Sequence, residues 1–510
     1  MNLISRIHNS CSITTVNSVG ALTGKVLRGA SIESKRLVIN DLAAFWDCIP
    51  TLVANVVDFG VKSAPEPVRA MSAWIINQAA QQRGVKLNSP NSLYTAVADG
   101  KIDRQFAVPA INIRGNSLDT ARALFAAANG LNVGALIVEI ARSEMGYTNQ
   151  APREFAAVVQ AAAMMEGWEG QLFLQGDHIQ LSKKKVTKGG PDATQEERAH
   201  SALIRECLKY GFGSIDLDMS PFEQRNKTEL SFDDQQRLNY LLTASKILEI
   251  RRLQLDLNLP YTVMLGGETG EVGESNTRRE DIEAYAQGLV RELKRLHDKT
   301  GLPLQGIRKI AVQTGTHHGG VTLPDGSVKQ VKIEFEVLKM AREESLRYGW
   351  AGPVQHGAST LPDEVFSKFV EYGAAEVHLA TGFQNILFEV GIAKEQGLKA
   401  AIERFIGVNF ISEWKEDTSW LQFFTDNRKR ANGPFKWQLW TMPEEVREAV
   451  SDALVTKFKY IFQALGVQNT QGMVNRFVKD VDFELPYPEA GETIMVDAAE
   501  TDRGGADLAD

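Results

Sequence analysis

Eight histidines are spread through 510 residues, and four places where a short apolar run gives out carry at least one. The run 171-QLFLQ-175 ends on 176-GDH-178, which sets a carboxylate, Asp177, beside an imidazole, His178. His317 and His318 follow 309-KIAVQTG-315, His356 lies in 352-GPVQHG-357, His378 lies in 375-AEVHLA-380, and Glu268 follows 261-YTVMLGG-267. A single histidine at such a place is ordinarily a loop residue. Three that converge from separate runs, with a carboxylate in reach, are what a catalytic Zn2+ needs: nitrogen ligands at about 2.0–2.1 Å and one coordination position left open. His178, His318 and His356 are the expected ligands. His317 should point away from its neighbour, and a carboxylate fixed next to a ligand, as Asp177 is, suits a general base. His200 and His297 fall in helical stretches and are expected at the surface.

Glycine gathers at the same ends. The stretches 315-GTHHGG-320, 357-GASTLP-362 and 380-ATG-382 offer backbone N–H groups and hydroxyls, which suit a phosphate. Turns use glycine too, so the coincidence of the three counts for more than any one. The segment 266-GGETGEVGESNTRRE-280 has little to bury and reads as a loop able to close over a substrate.

Positioning these residues takes a scaffold whose strand ends meet. Eight short apolar runs qualify: 106-FAVPAIN-112, 135-ALIVEI-140, 171-QLFLQG-176, 213-GSIDLDM-219, 261-YTVMLGG-267, 309-KIAVQTG-315, 352-GPVQHG-357 and 375-AEVHLA-380. Such runs, mostly without strict alternation, suit strands buried on both faces of a parallel sheet. Amphipathic stretches such as 118-LDTARALFAAANG-130 and 280-EDIEAYAQGLVRELKRLHDK-299 separate them. The alternation predicts an α/β fold, a (β/α)8 TIM barrel whose site forms at the C-terminal strand ends. It also divides the chain into an added N-terminal helical extension at 1–90, a barrel at 91–410, a C-terminal helical extension at 411–487 and an acidic tail at 488–510, expected to be disordered.

Composition narrows the partners. A formal net charge of -8, with 43% hydrophobic and 24% charged residues, offers no basic field for nucleic acid. No apolar run reaches the roughly 18 residues of a membrane span. Three scattered cysteines form no CxxC pair or disulfide framework and fit a reducing, cytoplasmic location. Residues 1–32 carry Arg6, Lys25 and Arg28 without an acid, which keeps organellar import as an alternative.

In chain order, the residues resemble the motifs of the class II, zinc-dependent fructose-bisphosphate aldolase family. The DH pair at 177–178, 268-ETGEVG-273, 315-GTHHG-319, 356-HGASTLP-362 and 377-VHLAT-381 are similar to its strand-end motifs. Two further stretches, 106-FAVPAIN-112 and 214-SIDLDMSPFE-223, are similar to its first and fourth strands. The resemblance covers about residues 91–385. It implies His178, His318 and His356 as zinc ligands, Glu268 as an alternate ligand, Asp177 as the base and Asp218 close behind the ligands. It further implies Asn112, Gly319, Gly357, Ser359, His378 and Thr381 as contacts to substrate and its phosphate, and Glu274, or else Glu280, for proton exchange. The implied activity is reversible cleavage of a phosphorylated ketose, fructose 1,6-bisphosphate first and tagatose 1,6-bisphosphate second, in a homo-oligomer that has room for a monovalent cation. A non-catalytic assembly subunit is the alternative of a different class. Three residues depart from the family: His378 stands where Asn is usual, Glu376 where Lys is usual, and Ala141 where Ser is common. Arg428, Lys429, Arg430 and Lys436 are candidates for a second phosphate contact.

Overall fold

In a computed structural model of the chain, each of the eight runs forms a strand. They are β1 (Val108–Asn112), β2 (Ile137–Ala141), β3 (Gly170–Asp177), β4 (Ser214–Asp216), β5 (Met264–Thr269), β6 (Lys309–Val312), β7 (Pro353–Gln355) and β8 (Glu376–Leu379). Every neighbouring pair is parallel, and β8 pairs back onto β1 through Glu376 opposite Val108 and Leu379 opposite Ile111, so the sheet closes into a barrel. The structure describes residues 13–103, 105–270, 275–315, 321–325, 328–329, 333–359, 361–415 and 417–488. Among them, no helix is long and apolar enough to cross a membrane.

The outer helices start and stop where local chemistry directs. Ser231 accepts from the Asp234 N–H to open Phe232–Asp256, which satisfies one of the first-turn donors that a helix leaves unpaired. Gly301, at φ +70°, ends Arg279–Thr300, a backbone state that a side chain resists. The closing helix, Glu444–Ala464, packs on Ser117–Gly130, and the Leu465 carbonyl accepts from the Ala107 N–H just ahead of β1.

The N-terminal addition contains more than helices. Beside Glu66–Gln82 it has an antiparallel hairpin, Ala30–Glu33 with Arg36–Ile39, and a strand at Val85–Asn88 that pairs in parallel with Gly170–Phe173 of β3. Farther along the same strand, β4 takes over as partner at Gln175 and Gly176. The end of the described chain covers this addition: Asn88 Nδ2 donates to the Lys479 carbonyl (2.8 Å), Leu485 N–H donates to Asn77 Oδ1 (3.0 Å), and Trp74 meets Tyr487 edge to face at 5.0 Å.

Polar side chains occupy the barrel axis, where branched aliphatic residues usually dominate. Lys309 donates to Gln175 Oε1 (2.7 Å) and Asp216 Oδ2 (2.9 Å) and pairs with Glu376, whose other oxygen accepts from Tyr94. Gln175 in turn donates to Glu139 Oε2 (2.6 Å) and Glu376 Oε1 (2.8 Å). Room for this layer comes from Gly266: a Cβ there would lie 2.2 Å from Asp216 Oδ1 and 3.0 Å from Lys309 Cε.

Candidate active site

One step up the axis from this layer, the strand ends bring Asp177, His178, Glu268, His356 and His378 together. All five are 1–6% exposed. The ring centroids of His178 and His356 are 4.3 Å apart, and those of His356 and His378 are 4.4 Å apart. Glu268 spans the first pair, with Oε2 3.4 Å from His178 Nδ1 and Oε1 3.7 Å from His356 Nδ1. Sequence had placed Glu268 just past a strand; β5 runs to Thr269, so Glu268 lies within the strand, facing the axis from a fixed backbone.

His178 has a left-handed backbone, φ +42°, rare for a residue with a side chain. The turn swings its ring away from β3 toward Asp218, whose Oδ2 is 3.1 Å from Nδ1. Asp218 Oδ1 is itself held by the Ser220 N–H (3.0 Å) and hydroxyl (2.7 Å). A carboxylate on Nδ1 fixes the ring and presents Nε2 as the other nitrogen, the usual arrangement behind a metal-bound imidazole. His178, His356 and Asp177 have ligand atoms within 4.8 Å of one another, as do His178, Asp218 and Glu268, so these buried groups are able to hold a metal ion.

Asp177, expected to act as the base, is held from two sides. Its Oδ2 accepts from Asn112 Nδ2 (3.2 Å), and its Oδ1 is 3.2 Å from His378 Nδ1. Burial raises the cost of its charge, but His178 and His378 together hold the carboxyl well below the usual range. His178 and His378 move up in return: burial opposes their charge, and the carboxylates around them overcome it. Glu268 moves up because burial and the neighbouring Asp218 outweigh the pull of His178. Glu139 is pushed to about 8 by burial, against the attraction of His378.

The remaining expected residues divide. Asn112 also donates to Glu144 Oε2 (2.9 Å), which ties β1 to the short helix Arg142–Tyr147 after β2. Thr381 opens the helix after β8, and its hydroxyl accepts from Arg114 Nη1 (3.1 Å); Arg114 is locked by Glu144 at 2.5 Å. Gly357, at φ +67°, makes the turn after β7, and Ser359 is 6% exposed. The Ser359 carbonyl would lie 2.5 Å from a Cβ at Gly382, so the loop after β7 and the helix after β8 approach this closely only because residue 382 is glycine. His317, His318, Gly319 and Glu274 lie outside the described residues.

Two expectations need correcting. His200 is not at the surface: it is fully buried, with Nε2 3.2 Å from the Ile179 carbonyl, because its helix, Gly190–Lys209, packs behind the loop that follows His178. Lys436 is not available to a substrate either, since it is 4% exposed, pairs with Glu154 and donates to the Asn149 carbonyl (2.7 Å). Sequence reasoning missed Arg114, Glu144, Glu139, Gln175 and Lys309. A signal was present in the runs: polar residues at alternate positions, such as Gln175 with Asp177 or Glu376 with His378, mark an inward-facing polar layer.

The result is a closed parallel (β/α)8 barrel with imidazoles and carboxylates buried at its C-terminal strand ends, groups that could hold a metal ion. Within that class, the family model described as fructose-bisphosphate aldolase class-II matches residues 94–464, and the chain belongs to that family. No curated protein matches the chain. Among solved structures, the fructose-bisphosphate aldolase from Campylobacter jejuni is 19% identical, with a TM-score of 0.43 over 76% of this chain and 97% of that one. A probable tagatose 6 phosphate kinase from Sinorhizobium meliloti 1021 is 14% identical, with a TM-score of 0.51 over 70% and 100% of the two chains. The fructuronate-tagaturonate epimerase UxaE from Cohnella laeviribosi, also 14% identical, has a TM-score of 0.50 over 79% and 86%. The last two share the fold.

Proposed function

We propose that the chain is a zinc-dependent aldolase that reversibly cleaves a phosphorylated ketose, with fructose 1,6-bisphosphate as the leading substrate. The observation that carries this reading is Asp177 buried beside His178, His356 and Glu268 at the strand ends. His178 and His356 would hold the metal, with His318 as third ligand and Glu268 as alternate. Zn2+ bound there supplies the electrophile that polarises the ketone.

Asp177 takes the proton of the C4 hydroxyl as the C3–C4 bond breaks, and returns it in the reverse reaction. Asn112 keeps the carboxylate turned toward the site. Gly357, Ser359 and Thr381, with Gly319, receive the substrate phosphate, and Arg114 aims the Thr381 hydroxyl. Glu274 exchanges the proton at C3. His378 and Glu376 in place of the family's Asn and Lys favour tagatose 1,6-bisphosphate or another sugar phosphate as the second candidate. We place the enzyme in the cytoplasm as a homo-oligomer.

The test is an assay on each ketose phosphate after EDTA treatment and again after return of Zn2+. Activity lost and regained supports the reading. Cleavage that persists after complete metal removal overturns it.

A further inference from the structure

The carboxylates at the axis outnumber the cations that face them. Lys309 pairs with Asp216 and Glu376. Glu139 and Asp177, 0% and 1% exposed, both face the imidazole of His378. Each carboxylate has one oxygen satisfied: Glu139 Oε2 by Gln175 (2.6 Å) and Asp177 Oδ2 by Asn112 (3.2 Å). The other oxygens, Glu139 Oε1 and Asp177 Oδ1, lie 3.1 Å and 3.2 Å from His378 Nδ1. All three atoms are buried, and none has a hydrogen-bond partner of good geometry.

These spacings are those of ligands around an ion. Atoms that coordinate one metal at about 2.0–2.2 Å lie about 3.0–3.5 Å from one another. The opposite face of His378 fits as well: Nε2 is 2.7 Å from Glu376 Oε1, so a carboxylate fixes the tautomer and leaves Nδ1 as the coordinating nitrogen. The three atoms come from β2, β3 and β8; β2 and β3 pair directly, and β8 joins them through β1, so the sheet holds all three.

We propose that Glu139 Oε1, Asp177 Oδ1 and His378 Nδ1 form a second metal site, deeper in the barrel than the pair His178 and His356. Two carboxylate oxygens and one imidazole suit a divalent first-row cation such as Zn2+ or Mn2+. The ion would neutralise two buried carboxylates that both face His378. Asp177 is then anchored through Oδ1 and keeps Oδ2, the oxygen toward Asn112, for proton transfer. The histidine at 378 and the acid at 376, both departures from the family pattern, acquire a shared purpose.

The test is Zn2+ stoichiometry by elemental analysis of the full-length protein, stripped with EDTA and dialysed against Zn2+, together with anomalous scattering from its crystals. Two ions per chain are expected for the parent, one for Glu139→Gln and one for His356→Ala. A single ion that His356→Ala removes and Glu139→Gln retains overturns the second site and leaves the aldolase reading standing. A single ion with the reverse pattern supports the second site and removes the metal ligands from that reading. No bound ion overturns both. Should Glu139→Gln fail to fold, His378→Asn carries the same expectation, and the anomalous map of the parent decides without any variant: one peak at His178 and His356 alone overturns the proposal.

Discussion

Asp177 is gripped from two sides, by the amide of Asn112 and the ring of His378, and both contacts were invisible to sequence spacing. The adjacent DH pair gave its identity, because a carboxylate beside a candidate ligand at a run end has few other uses. Asp177→Asn keeps the shape and loses the base, so turnover of the ketose phosphate should fall by about 10²–10⁴, measured by coupled assay, with the ion at His178 and His356 retained in elemental analysis. His200 shows the opposite case, a helical residue whose burial sequence reasoning misjudged. Burial, with Lys246 and Arg142 nearby, lowers it from 6.5 to about 3. The unfolded chain therefore takes up a proton that the folded one refuses between those values, and stability is lost as pH falls below 6.5. The slope is about 1.4 kcal/mol per pH unit. Urea unfolding at pH 7 and pH 5 should show His200→Gln losing about 2 kcal/mol less than the parent over that interval.

Among the elements, the eight strands were legible because two-faced burial makes each one a short apolar run. Their exact ends were not, as β5 shows: its apolar stretch begins at Tyr261, but pairing begins at Met264 and continues through Glu268 and Thr269. Pairing is decided by the neighbours, Ser214 opposite Met264 and Lys309 opposite Gly266, which no local pattern reveals. Val85–Asn88 was missed for the same reason, being four residues long and recognisable only from its partner in β3. Gly266 tests the close packing. Gly266→Ala forces a methyl onto Asp216 and Lys309, and should destabilise by about 1–3 kcal/mol, seen as a lower melting temperature.

For the whole molecule, the barrel was readable from the alternation of runs and helices, whereas the union of the two chain ends was not. Contacts such as Trp74 with Tyr487 join parts separated by most of the sequence. Truncation after Asp482 removes Phe483, Leu485 and Tyr487 and uncovers Trp74, and should lower the melting temperature relative to the full chain. Metal has a comparable reach. A site filled at 100 times its Kd adds about 2.7 kcal/mol, so EDTA should lower the melting temperature of the parent and Zn2+ should restore it, with a smaller response in His356→Ala.

The carbonyl of Phe483 receives the amide of Gln81, a bond across 402 positions of chain. During synthesis, the helix that bears Gln81 leaves the ribosome long before its cover has been translated. Its apolar side must wait through the making of the entire barrel, so the nascent chain should depend on chaperones until its last tenth emerges. Pulse-labelled chains stalled before residue 479 should accordingly remain protease-sensitive in the N-terminal block, while released full-length chains resist.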